Sequence, residues 1–227
     1  MTSGPQTREG RAVADREPPA FDAAFRDRLA LLFAWRRDVR RFRPDPVSPA
    51  LIDELLDLAQ LAPSVGNSQP WRIVSVESPQ KRAAIRANFE RCNAEALAAQ
   101  CGERAELYAR LKLAGLDAAP VQLAVFCDRS TTQGHGLGAR TMPEMLDYSV
   151  VGMIASLWLA ARAAGLGLGW ISIIDPSAAA RDLGTPAEHK LIAYLCLGWP
   201  CEEHDDPELV RHGWQDRTDK GREVTIV

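Results

Sequence analysis

The chain has 227 residues, 46% hydrophobic and 25% charged, with a formal net charge of −3 and a pI near 5.9. That size supports one large domain, and the acidic balance leaves no broad basic surface for nucleic acid or an anionic membrane. No apolar run reaches membrane-spanning length, and the N-terminus, with Arg8, Glu9, Arg11, Asp15, Arg16 and Glu17, has no signal-peptide core, so a cytoplasmic protein is expected.

Residues 1–19 mix Gly, Pro and charge without apolar periodicity and read as a mobile leader; residues 20–227 read as a single domain ending in a polar C-terminal arm from Pro200. Phe25, Leu29, Leu32 and Phe33 share one helical face, and that helix delivers Trp35 and the run Arg36-Arg37-Asp38-Val39-Arg40-Arg41. Ser48-Pro49 reads as an N-cap with proline at the first helical position, and Leu51, Ile52, Leu55, Leu58, Ala59 and Ala62 form the apolar stripe behind it. After the loop Pro63 to Trp71, Arg72 to Val76 is a strand, and Ser78-Pro79 starts a helix that runs, with breaks, to about Ala114. Val121 to Cys127 is a second strand. The Gly-rich connection between Asp128 and Thr141 reads as a mobile surface loop, with a cover over a site as the alternative.

Pro143 to Ala164 forms a helix too apolar for a simple surface element, which fits burial at the centre of the fold or in a dimer interface. Gly165-Leu166-Gly167-Leu168-Gly169 precedes a strand over Trp170 to Ile174 instead of opening a helix, so it fails as a dinucleotide fingerprint and reads as a turn that lets helix and strand pack closely. His189 to Trp199 is the last strand. The five cysteines, Cys92, Cys101, Cys127, Cys196 and Cys201, lack zinc-site spacing and read as reduced thiols, Cys127 and Cys196 as buried ones. No His stands at ligand spacing with another His or Cys, so no metal is expected.

Two stretches concentrate chemistry. The arginines around Asp38 are either a solvated basic turn or a handle for a phosphorylated ligand, since guanidinium forks match phosphate oxygens. Residues 62–71, APSVGNSQPW, combine rigid prolines, a permissive Gly66 and the donors and acceptors of Ser64, Asn67 and Gln69. That chemistry suits the edge of a polar heterocycle, or a loop whose side chains satisfy their own backbone.

Taken in order with LKLAG at 111–115, WLAARAAGLGLGWISI at 158–173, YLCLGWP at 194–200 and PELVRHGWQDR at 207–217, these stretches make the chain resemble the FMN-dependent nitroreductase superfamily from about Phe21 to about Arg217. Asp38 stands where ordinary nitroreductases usually carry a small hydroxyl residue, and is similar to the branch that makes 5,6-dimethylbenzimidazole, the lower ligand of cobalamin. The resemblance implies an α+β nitroreductase-like sandwich, a mixed sheet flanked by helices, in an intertwined homodimer with flavin at the interface. It implies that Arg36, Arg37 and Arg40, with Val39, hold the FMN phosphate, with Arg217 a more distant contributor. Pro63, Ser64, Asn67 and Gln69 then fall near the flavin, Lys112 and Leu113 in a segment closing over it, and Ile171 and Ser172 on its other side.

Asp38 and Ser172 are the implied catalytic residues, Asp38 as a proton acceptor and Ser172 as a hydroxyl that donates and accepts. The arginines beside Asp38 are expected to favour its charged form. Reduced FMN is then a consumed substrate, O2 a co-substrate, and a separate flavin reductase one candidate source of the reduced form. Two other readings stay open: an NAD(P)H-dependent FMN nitroreductase of the same fold, and a flavin carrier without chemistry.

Overall fold

The computed structural model describes residues 18–110 and 115–227. The leader assigned to residues 1–19, except its last two residues, lies outside the described residues, as do Lys112 and Leu113.

Four strands build the sheet: β1 (Trp71–Ser75), β2 (Val121–Asp128), β3 (Gly167–Ile171) and β4 (His189–Gly198), in the order β1-β2-β4-β3 with every neighbouring pair antiparallel. A parallel bridge between Asp38 and Leu168 extends the β3 edge and makes the pairing mixed. Alternation along β2 sends Leu123, Val125 and Cys127 to one face and Ala124 and Phe126 to the other. In the β2–β4 pairing the register shifts between Val125 and Phe126 of β2, whose partners are Ala193 and Leu191, and this bulge lets those two β4 residues face opposite cores.

Helices cover both faces. One core packs α2 (Pro49–Ala59) and α6 (Met145–Ala163) on the sheet through Leu55, Val150, Met153, Ile154 and Leu157; the other packs α3 (Pro79–Ala98) and α7 (Pro176–Leu183) through Ile85 and Ala179. Ser48 and Ser78 cap α2 and α3, accepting from the N–H of Leu51 (3.2 Å) and Lys81 (3.4 Å), each followed by proline. The expected breaks after α3 separate it from α4 (Glu103–Arg110) and α5 (Gly115–Ala118). Cys127 and Cys196 are buried as expected, and burial pushes both thiols up to about 12.

Two expectations change, and one further feature appears. The strand placed at Trp170 to Ile174 begins earlier and ends at Ile171, because Asp175 caps the unanticipated α7 by accepting from Ser177 (2.9 Å) and Ala178 (3.0 Å). The Gly-rich connection packs on the 63–70 loop: Gln133 donates to the Asn67 carbonyl (2.9 Å), and a Cβ on Gly134 would stand 2.6 Å from the Gly66 oxygen. The apolar face of α1 (Ala23–Trp35) stays open in the single chain, with Phe33 54% exposed and Phe25 and Leu29 also exposed, because α1 contacts α6 alone to any extent. Among the described residues no helix is long and apolar enough to cross a membrane.

Candidate functional site

Leaving α1 at Arg36, the backbone becomes extended and runs along β3, where the Val39 N–H donates to the Leu168 carbonyl (3.0 Å). Glycine makes this approach feasible. A Cβ on Gly167 would sit 2.7 Å from Val39 Cγ2, and one on Gly169 would overlap the Val39 carbonyl. Gly165, at φ +78°, makes the expected turn after α6, whereas Gly167 and Gly169 serve the Asp38 segment and not helix–strand packing.

Asp38 is thereby fixed from two sides. The Trp170 N–H donates to Oδ1 (2.9 Å), and Arg40 Nε lies 3.4 Å from Oδ2. The Asp38 side chain retains 36% exposure and borders a small cavity also lined by Arg40, Gly115, Ile171 and Cys196. Burial among these groups pushes the Asp38 carboxyl above the usual carboxylate range, and the Trp170 N–H and Arg40 oppose the shift without cancelling it. The expectation that neighbouring arginines favour the charged form holds for Arg40, and burial outweighs it. The other guanidiniums are engaged elsewhere: Arg36 lies 4.9 Å over the Trp158 ring, Arg37 donates to the Asp205 carbonyl, and Arg41 pairs with Glu202 and Glu208.

Asp38 also borders a cleft lined by Arg36, Arg37, Arg40 and Arg217, with Pro207, Glu208 and Leu209 of the C-terminal arm. Burial lowers the proton affinity of Arg37, and repulsion from Arg217 and Arg36 lowers it further. Arg37 Nε is buried and has no hydrogen-bond partner among the described residues. A buried donor without a partner, crowded by like charges, fits a bound anion such as a phosphate monoester. Trp158 Nε1 steadies the segment by donating to the Arg37 carbonyl (3.1 Å).

Ser172 follows β3 directly and is exposed, two residues beyond the N–H that holds Asp38. Asn88, fully buried on α3, fixes the connection that carries it: Nδ2 donates to the Asp175 carbonyl (2.9 Å) and Oδ1 accepts from the Asp175 N–H (2.9 Å). Neither Asn88 nor Glu208 was visible as a site residue in the sequence, because the partner of Asn88 lies 87 positions away and the arginines that meet Glu208 more than 160.

The loop at Pro63, Ser64, Asn67 and Gln69 stands elsewhere. Ser64 Oγ accepts from the Gln69 N–H (3.0 Å), Gln69 Nε2 donates to Asn67 Oδ1 (3.1 Å), and Asn67 and Gln69 adopt φ of +55° and +43°. Ser149 of α6 accepts from the Val65 N–H (3.0 Å). The loop leads into β1, one edge strand, whereas Asp38 lies along β3, the other. Three strand spacings, about 14 Å, separate those strands, so one chain does not bring the two polar segments together. Among the described residues no group of three His, Cys, Asp or Glu side chains is placed to hold a metal ion.

This sheet with helices on both faces is matched by known proteins. The chain belongs to the Nitroreductase family, whose family model matches residues 33–199. Within it, the chain is 59% identical to a 5,6-dimethylbenzimidazole synthase of Rhodospirillum rubrum, over 89% of this chain and 96% of that protein. It is 50% identical to a 5,6-dimethylbenzimidazole synthase of Rhodobacter capsulatus, over 86% and 95%. The structure of an iodotyrosine deiodinase bound to FMN and 3-iodo-L-tyrosine superposes with a TM-score of 0.65 at 26% identity, covering 78% of this chain and 91% of that one. A nitroreductase-like protein from Streptococcus mutans shares the fold at a TM-score of 0.66 and 20% identity, covering 90% and 100%.

Proposed function

We propose that this chain is a 5,6-dimethylbenzimidazole synthase that takes reduced FMN and O2 as substrates. The observation that carries the reading is Asp38: a carboxyl of raised proton affinity beside an arginine cleft, in a chain 59% identical to a protein of that activity. Reduced FMN supplies the electrons for oxygen and the ring atoms of the product. Arg36, Arg37 and Arg217 hold its phosphate, satisfying Arg37 Nε. Asp38 takes up a proton at Oδ2 while Trp170 fixes Oδ1, and the Ser172 hydroxyl donates and accepts at the end of β3. Val39 and Ile171 exclude water from one side.

The working unit is a homodimer built on one flavin domain, residues 20–227, with a C-terminal arm. A second copy would bring its Ser64 to Gln69 loop opposite the first copy's arginine cleft, and the open apolar face of α1 supplies surface to bury. Lys112 and Leu113 remain in the proposal as residues closing over the flavin, and a separate reductase as a supplier of its reduced form.

Incubation with chemically reduced FMN in air, followed by mass spectrometry, tests the reading. The expected outcome is 5,6-dimethylbenzimidazole; flavin that stays intact for many hours sinks it. NAD(P)H oxidation coupled to a nitroaromatic would then favour a nitroreductase, and its absence a carrier.

A further inference from the structure

Glu208 opens α8 (Glu208–Arg211) in the C-terminal arm, and its side chain is only 9% exposed. Three basic groups meet it: Arg40 Nε at 3.6 Å from Oε2, and Arg41 Nη2 at 3.4 Å and His212 Nε2 at 3.5 Å from Oε1. The same Arg40 nitrogen lies 3.4 Å from Asp38 Oδ2. One N–H thus stands between two carboxylates, close to each and able to align well with only one. We propose that Glu208 is a positioning residue for Asp38, dividing the Arg40 guanidinium between two carboxylates so that Asp38 stays able to take up a proton.

This inference rests on the reading of Asp38 as the acid–base group. Asp38 faces Arg40 from its own segment, the Trp170 N–H from β3, Cys196 from β4 and Glu208 from the arm, with Arg36, Arg37 and Arg217 around the neighbouring cleft. Burial is the main cause that raises the Asp38 carboxyl, and the Glu208 charge acts in the same direction. Arg41, itself shared with Glu202, neutralises part of that charge.

The test reads Asp38 directly in the flavin-free, full-length protein carrying 13C-carboxyl aspartate, the Asp38 signal being assigned by its loss in Asp38→Asn. Glu208→Gln should move the Asp38 titration midpoint to lower pH, because Arg40 then serves Asp38 alone. Glu208→Asp, which keeps the charge, should stay nearer the parent. Arg41→Gln should move the midpoint the other way, since it leaves Glu208 less neutralised and removes a nearby positive charge. An unmoved midpoint in Glu208→Gln, with Trp214 fluorescence reporting a docked arm, overturns the inference. If that variant does not fold, Arg41→Gln decides, and a midpoint that stays or falls overturns it equally. Midpoints that shift as expected while Asp38→Asn forms product at the parent rate would remove the acid–base reading of Asp38 and leave the shared Arg40 standing.

Discussion

A side chain at Gly169 would occupy the space of the Val39 carbonyl, so the backbone that carries Asp38 can lie against β3 only because position 169 has no Cβ. Gly169→Ala should therefore cost about 1–3 kcal/mol through overpacking. It should also loosen the Trp170-to-Asp38 hydrogen bond. Chemical denaturation reads the first effect, and a weakened titration of FMN the second; a variant equal to the parent in both would mean that the segment shifts without penalty.

Asp38→Asn keeps the size and an acceptor for Trp170 but removes the proton-accepting group. FMN binding should survive, because the four arginines of the cleft are unchanged, while single-turnover product yield falls by roughly 10²–10⁴. Asp38→Ser should likewise retain flavin. Loss of flavin binding in Asp38→Asn would make the residue structural.

Arg37 is held in its cleft against burial and the charges of Arg217 and Arg36, with Nε lacking a partner. Arg37→Gln should leave the flavin-free protein as stable as the parent or more so. The FMN dissociation constant should rise by about 10- to 100-fold, as expected for losing charge-assisted hydrogen bonds. Thermal melts with and without FMN separate the two effects, and equal losses in both would contradict the assignment of Arg37 to the phosphate.

Asn88→Ala leaves the Asp175 N–H and carbonyl without their buried partner, at a cost of roughly 2–4 kcal/mol. Since the same amide steadies the Ser172 connection, product yield should drop more than FMN affinity. Calorimetry and single-turnover assays check this, and matching losses would limit Asn88 to a stability role.

Asp147, with its side chain 12% exposed, accepts from Arg129 (3.2 Å to Nε) and Lys190 (2.7 Å). Burial alone would raise its carboxyl, and the bonds from Arg129 and Lys190 outweigh burial and hold it below the usual range. A folded-state value below the unfolded one gives stability that is present above about pH 4 and is lost as pH falls through the folded value. Asp147→Asn should lower stability at pH 7 by about 1–2 kcal/mol, since Arg129 and Lys190 are half-exposed, and flatten the acid limb of a stability–pH curve. An unchanged acid limb would assign it to other carboxylates.

Local physics made much of this protein legible from its residues. Ser48-Pro49 and Ser78-Pro79 fixed two helix starts because a cap needs only the next few N–H groups, and alternation along Val121 to Cys127 gave β2 its two faces. The order of RRDVR, APSVGNSQPW and GWISI identified the family before any contact was known. What remained hidden joins distant positions: Asp38 to Trp170, Arg40 to Glu208, and Asn88 to Asp175. The start of α7 was present in Asp175-Pro176 but lay under the apolar run before it. The arginine neighbours of Asp38 in sequence favoured a charged carboxylate, and Arg40 still does; folding turned the others toward other partners and partly buried Asp38, so tertiary placement outweighed the residues beside it in setting the direction of its shift.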